Sequence, residues 1–295
     1  MPFIWANSPS PYGPVALGLA AVVSAVTSNS ILLGVITHRL LSIAGIIVAG
    51  WAISCLARRC RVSPESALWL GILNPLTILH LVGGIHNESI MLGLLLVGME
   101  LGLRGVDKLD ASRRSAYLAL VASGFCLSCA GMVKVTGFIG LGFVGMAYAR
   151  RLINAHGTAR WKALAYAIAL QIIVLVATVA LISVCTGISL GWITGQGGAA
   201  SIRSWLSTST AVGVGTGFIG MLLGLGDHTE AILTVTRTFG VFVAVAFMAR
   251  MLFATLRGHI HPVGGLGIAS LVLVIFFPVV HPWYILWAVL PLAAW

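Results

Sequence analysis

The sequence predicts an all-α, polytopic transmembrane helix bundle, and three observations carry that prediction. Hydrophobic residues fill 59% of the 295 positions and charged residues only 8%, too little polar material to cover a globule in water. Apolar runs long enough to cross about 30 Å of hydrocarbon recur along the chain. The Lys and Arg residues, 17 in all, sit in short clusters between those runs rather than along one basic face. That pattern reads as membrane topology and excludes nucleic acid as a partner. A single transmembrane domain over residues 1–295, with roughly eight to ten spans, accounts for the whole length.

Pro9, Pro11 and Pro14 exclude helix interior, so residues 1–14 read as the end of an extracytoplasmic loop. Val15 to Val26 is too short to span and is expected at the interface, followed by a capping turn at Thr27-Ser28-Asn29-Ser30. Ile31 to Ala57 is a full span ending on Arg58, Arg59 and Arg61, which marks the cytoplasmic side. Alternation then takes Glu65 to Val82 outward, Ser89 to Leu103 inward, Ala116 to Met132 outward, Val135 to Ala149 inward and Ala163 to Thr186 outward. Residues 187–230 read as a long extracytoplasmic loop, containing Gln196, with a re-entrant or interfacial segment in its glycine-rich part. Ile232 to Ala254 runs inward, Val263 to Val279 outward, and Tyr284 to Trp295 begins a last inward span. With this topology every Lys and Arg except Arg39, Lys134, Arg203 and Arg237 is cytoplasmic, as the positive-inside bias requires.

The stretch Asn74 to Met91 breaks the apolar pattern. It places His80, His86, Asn87 and Glu88, with a Gly83-Gly84 interruption, between two apolar runs where unsatisfied polar groups are costly. The five cysteines have no histidine at zinc-site spacing, so neither a structural disulfide nor a metal is expected. On the assigned topology His80, His86, Asn87, Glu88, Lys134, Arg203, Asp227, His228, Glu230, Arg237 and His281 gather at one outer face, along with Tyr12 and Tyr284.

Those residue types suit one chemistry. Lys134, Arg203 and Arg237 can hold a phosphate, arginine through paired donors and lysine as a point charge. Glu88, Asp227 and Glu230 are the outer carboxylates, and a carboxylate can take a proton from an acceptor hydroxyl while a phosphate leaves on the opposite face. Trp205, Trp283, Tyr12 and Tyr284 can stack on sugar rings, although aromatic belts, snorkelling cations and helix caps explain many such residues without chemistry. The implied ligand is anionic and lipid-soluble.

Ser10-Pro11-Tyr12-Gly13-Pro14, Asn74-Pro75 with His80, Gly84-Ile85-His86-Asn87-Glu88, Arg203-Ser204-Trp205-Leu206-Ser207, Ile260-His261-Pro262-Val263-Gly264-Gly265 and Pro282-Trp283-Tyr284 occur in an order that resembles the actinobacterial α-1,6-mannopyranosyltransferases. The resemblance implies a GT-C-type bundle in the cytoplasmic membrane with its active face extracytoplasmic. It implies transfer of mannose, with inversion, from polyprenyl-phosphate-mannose to the α-1,6-mannan of lipomannan and lipoarabinomannan. Membrane lipids, the polyprenyl donor and a lipoglycan acceptor are then the partners, and no cofactor is expected. Where relatives commonly carry His-Asn-Asp, this chain has His86-Asn87-Glu88. The resemblance further implies truncation at both ends, with the main catalytic base outside this chain and Glu88 the one catalytic candidate inside it. A secondary transporter or lipid-linked-sugar flippase is the alternative, disfavoured because no internal repeat is visible and the polar groups lie at one face; a noncatalytic assembly subunit is a third reading.

Overall fold

A computed structural model describes residues 10–195 and 202–295. The expected loop residues 1–9 and 196–201, Gln196 among them, lie outside the described part. The described chain is helical, without strands. Helices α1 (Pro14–Val26), α2 (Ile31–Cys60), α3 (Pro64–Gly71), α4 (Glu88–Asp107), α5 (Arg113–Val133) and α6 (Ile139–His156) form the first part. Helices α7 (Arg160–Thr186), α8 (Gly191–Thr194), α9 (Thr208–Leu222), α10 (Thr229–Arg257), α11 (Pro262–Phe276) and α12 (Leu286–Ala293) follow. Among the described residues five helices, α2, α4, α5, α7 and α10, are long and apolar enough to cross a membrane.

Helix starts follow local chemistry. Ser30, Ser63, Ser112 and Ser207 each accept a backbone N–H of the following turn, and Pro64 and Pro262 occupy first helical positions where no N–H is needed. Arg61, Gly157, Gly187 and Gly258 end helices in the left-handed conformation.

Helix α4 is the centre of the bundle and is buried along most of its length, whereas α7 and α10 expose most of their apolar surface. A helix apolar all round belongs inside a bundle, and α4 fits that description. It packs against α2, α5 and α6. Small residues permit the closest approach: a Cβ on Gly93 would lie 2.6 Å from the Gly45 carbonyl oxygen of α2. Hydroxyls bridge the helices too, with Ser123 Oγ donating to the Gly98 carbonyl at 2.6 Å and Ser89 Oγ to Ser42 Oγ at 3.1 Å.

One expected span is not continuous. The run Glu65 to Val82 divides into α3 and a π-helical segment, Thr77–Gly83, because Pro75 has no N–H for an unbroken ladder. Asn74 stabilises the break by accepting the Leu76 N–H at 2.8 Å, and Thr77 Oγ1 donates to the Gly71 carbonyl at 2.7 Å. The final run likewise divides into a 3-10 turn, Pro282–Ile285, and α12. Within 187–230 the chain forms α8 and α9, and α9 packs on α10.

The bundle has chemically distinct ends. At the basic end Arg59 holds Glu100 through Nε at 2.6 Å and Asp107 through Nη1 at 2.5 Å, while Arg104 also donates to Glu100. Glu100 is buried but fully engaged. At the other end of α4 stands Glu88.

Candidate active site

Glu88 is the first residue of α4, where the helix dipole favours a negative charge. Its side chain has 0% exposure. A carboxylate so buried needs a cation, and Lys134, the residue that ends α5, supplies one: its Nζ lies 2.5 Å from Glu88 Oε1. Trp283 Nε1 donates to the same oxygen at 3.2 Å. Glu88 Oε2 is buried with no hydrogen-bond partner among the described residues. A buried acceptor without a donor is uncommon, and here it leaves one carboxylate oxygen with unused acceptor capacity.

Aromatic rings enclose the pair. Lys134 Nζ stands 3.8 Å from the Tyr284 ring centroid and 4.9 Å from that of Trp287, both within cation–π range. Tyr284 and Trp287 stack at 4.3 Å. Trp283 is stacked by two imidazoles, His86 at 3.8 Å and His281 at 4.7 Å, and His80 lies at 5.3 Å.

The imidazoles are tuned towards the neutral form. Burial pushes the pKa of His86 and of His281 below the ordinary histidine value; the Lys134 charge adds to the fall and the Glu88 charge opposes it. Tyr12 reaches the same place from the loop before α1, close enough to Glu88, Lys134 and Tyr284 to feel their charges. Burial first, then the Glu88 charge, pushes its phenol above the usual tyrosine range. Gly13 brings that loop against the end of α5, where the Gly13 N–H meets the Val133 carbonyl at 3.4 Å.

His86 is presented by a strained backbone. Ile85 has φ +54°, in the left-handed region that a β-branched residue rarely enters. The strain sits between the π-helical segment and α4 and turns the His86 ring onto Trp283. Arg39 of α2 closes the other side by donating to the Gly83 carbonyl at 3.4 Å.

Tyr12, His86, Asn87, Glu88, Lys134, His281, Trp283 and Tyr284 therefore come together from four separate stretches of chain. A second group forms around α9 and the start of α10. Arg203 pairs with Glu230 on the exposed surface, and Asp227 accepts the Thr229 N–H at 3.0 Å, a bond that lowers its pKa. Arg237 donates through Nε to Thr210 Oγ1 at 3.0 Å and through Nη2 to the Ile202 carbonyl at 2.7 Å. Trp205 is 72% exposed. The groups are connected through the linker before His281, because Thr210 Oγ1 donates to the Pro278 carbonyl at 2.7 Å and Ser204 Oγ to the Val280 carbonyl at 2.5 Å.

Trp287 was not among the residues singled out from the sequence. The signal was its spacing from Trp283 and Tyr284, one helical turn on, which puts all three rings at one end of one helix. No group of His, Cys, Asp and Glu among the described residues is arranged to hold a metal ion.

Comparison with known proteins supplies a family. The model described as Alpha-(1->6)-mannopyranosyltransferase, N-terminal domain, matches residues 1–150, and that of the MptB C-terminal domain matches 209–295. The chain is 64% identical over 296 residues to Alpha-(1->6)-mannopyranosyltransferase B of Corynebacterium glutamicum, covering 100% of this chain and 49% of that protein. It is 43% identical over 310 residues to a probable alpha-(1->6)-mannopyranosyltransferase of Mycolicibacterium smegmatis, covering 100% and 55%. Alpha-(1->6)-mannopyranosyltransferase A of Mycobacterium tuberculosis is 30% identical over 287 residues, covering 96% and 52%. No solved structure matches. The chain spans about half the length of the curated relatives it matches. With the first domain matched over residues 1–150 and the site above built largely from those residues, the chain belongs to the alpha-(1->6)-mannopyranosyltransferase family.

Proposed function

We propose that this chain serves the inverting transfer of mannose from polyprenyl-phosphate-mannose to an α-1,6-mannan of the lipomannan or lipoarabinomannan type, at the extracytoplasmic face of the cytoplasmic membrane. The observation that carries the proposal is Glu88, buried and held through one oxygen by Lys134 and Trp283 while the other oxygen, equally buried, has no hydrogen-bond partner among the described residues. The family relationship and the position of this pair at the end of α4 remote from the basic cluster support it.

In this reading Glu88 Oε2 accepts the hydrogen bond of the acceptor hydroxyl and draws off its proton as the sugar bond forms. The donor phosphate departs on the opposite face of the sugar, where cations stabilise its growing charge. Lys134 is paired with Glu88 on the acceptor side and holds the charge of the base, which leaves Arg203 and Arg237 as the phosphate ligands. The rings of Trp283, Tyr284 and Tyr12 form walls for the sugars, and His86, Asn87, His281, Trp205, Asp227 and Glu230 line the approach.

The test supplies radiolabelled polyprenyl-phosphate-mannose and a short α-1,6-mannoside to membranes carrying this chain, alone or within a polypeptide as long as its relatives. Elongation that disappears with Glu88→Gln supports the proposal. Absence of elongation in both forms at every protein level sinks it.

A further inference from the structure

A recess of about 480 Å³ opens between α5, α6 and α7 at the basic end of the bundle. It is remote from the candidate active site, since Arg113 at its mouth and Lys134 lie at opposite ends of α5, about 30 Å apart along the helix. Beside Arg113 stands His156, the last residue of α6. Further in come three phenols, with Tyr117 and Tyr148 sharing a hydrogen bond of 3.2 Å and Tyr166 facing them from α7. Leu170 and Ile173 continue the same face of α7 to the apolar end. From the start of α7 to Ile173 the groove is about 20 Å long.

The polar groups of the recess thus gather at the Arg113 end and at the phenols, beside Leu109 and Leu152, while Leu170 and Ile173 leave the far end aliphatic. Asp110, the carboxylate near the mouth, is already engaged by Arg151 and His156. Arg113 makes no hydrogen bond or ion pair among the described residues. A cation without a counter-charge at the mouth of an amphipathic groove, in a bundle with membrane-crossing helices, calls for an anionic amphiphile.

We infer that this recess binds one anionic phospholipid, with its phosphate at Arg113, its ester groups at the tyrosine hydroxyls and an acyl chain along Leu170 and Ile173. The inference does not rest on the mannosyl-transfer reading. It concerns the other end of the protein and predicts binding rather than turnover.

The experiment takes the full chain, delipidated in detergent, and measures retention of phosphatidylglycerol, of phosphatidylcholine with identical chains, and of inorganic phosphate by native mass spectrometry. The anionic lipid is expected to bind about fivefold more tightly than the zwitterionic one, the effect of one well-placed cation. Inorganic phosphate at equal concentration should not displace it. Arg113→Ala should abolish the preference, and Arg114→Ala, an exposed neighbour outside the recess, should keep it. Ile173→Trp, which fills the apolar end, should weaken both lipids together. Equal binding of the two lipids, a preference that survives Arg113→Ala or vanishes equally in Arg114→Ala, or displacement by phosphate alone would overturn the assignment.

Discussion

Lys134 crosses from the end of α5 to the first residue of α4 and places its ammonium 2.5 Å from Glu88 Oε1, with two aromatic rings around the same charge. The pair is nearly free of water, with side-chain exposures of 13% and 0%. Removing one partner leaves the other charge buried and uncompensated. Glu88→Gln and Lys134→Met should each lower stability in detergent by about 3–5 kcal/mol, and the double variant carrying both should lose much less than their sum. Chemical denaturation of the four proteins measures this, and additive losses would show that the two charges do not interact.

Ile85 gives a test with opposite signs for stability and activity. Ile85→Gly relieves the left-handed strain and should raise stability by about 1 kcal/mol, after allowance for the greater freedom of glycine when unfolded. The relaxed backbone no longer aims His86 at Trp283, so the proposed mannosyl transfer should slow. A variant that is less stable and equally active would remove any role for the strain.

The histidines set a pH dependence. His86 and His281 have lowered pKa values in the folded protein, while in the unfolded chain they titrate near the ordinary value of about 6.5. Below that pH the unfolded state binds more protons, so stability is retained above about 6.5 and falls as the pH drops through the window beneath it. Denaturation midpoints between pH 7 and 5 should decline more steeply for the native protein than for His86→Gln with His281→Gln. Parallel curves would place the titration elsewhere.

Gly13 tests how Tyr12 is held. A Cβ at this position would collide with the Met132 carbonyl oxygen, and backbone cannot yield as a side-chain tip does. Gly13→Ala should cost about 1–3 kcal/mol and shift Tyr12 away from Glu88 and Lys134. Tyr12→Phe, which keeps the loop in place, should leave stability closer to native. If the two variants behave alike, the phenol rather than the loop is at stake.

Much of the bundle was legible in the sequence because length, polarity and charge are local properties. Ile31 to Ala57 and Ala163 to Thr186 are continuous apolar runs, and both are helices long enough to cross a membrane. The interruption after α3 was harder to see, since Glu65 to Val82 is long enough to read as one span and the broken ladder depends on Pro75 and the side chains that satisfy it. The site was half visible. Topology can sort residues by bundle end, but their lateral distance is set by which helices touch. Thus Lys134 and Arg203 were placed at one face together, whereas packing gives one to Glu88 and the other to Glu230. Trp287 was hidden for a related reason: an apolar ring in an apolar helix carries no mark until a cation is set against it.

Glu88 and Glu100 lie about 18 Å apart along α4, and each is clamped to another helix, the first by Lys134 at the end of α5 and the second by Arg59 of α2. Mechanically α4 is a strut fixed at both ends. A piston stroke would have to break two ion pairs at once, and the tight seat of Gly93 on Gly45 resists rotation. The linker before His281 is fastened by single hydroxyl-to-carbonyl bonds from Ser204, Ser209 and Thr210, which can be released one at a time. The segment bearing His281, Trp283 and Tyr284 is thus seated on that frame through Glu88, His86 and Lys134, with only those releasable bonds behind it.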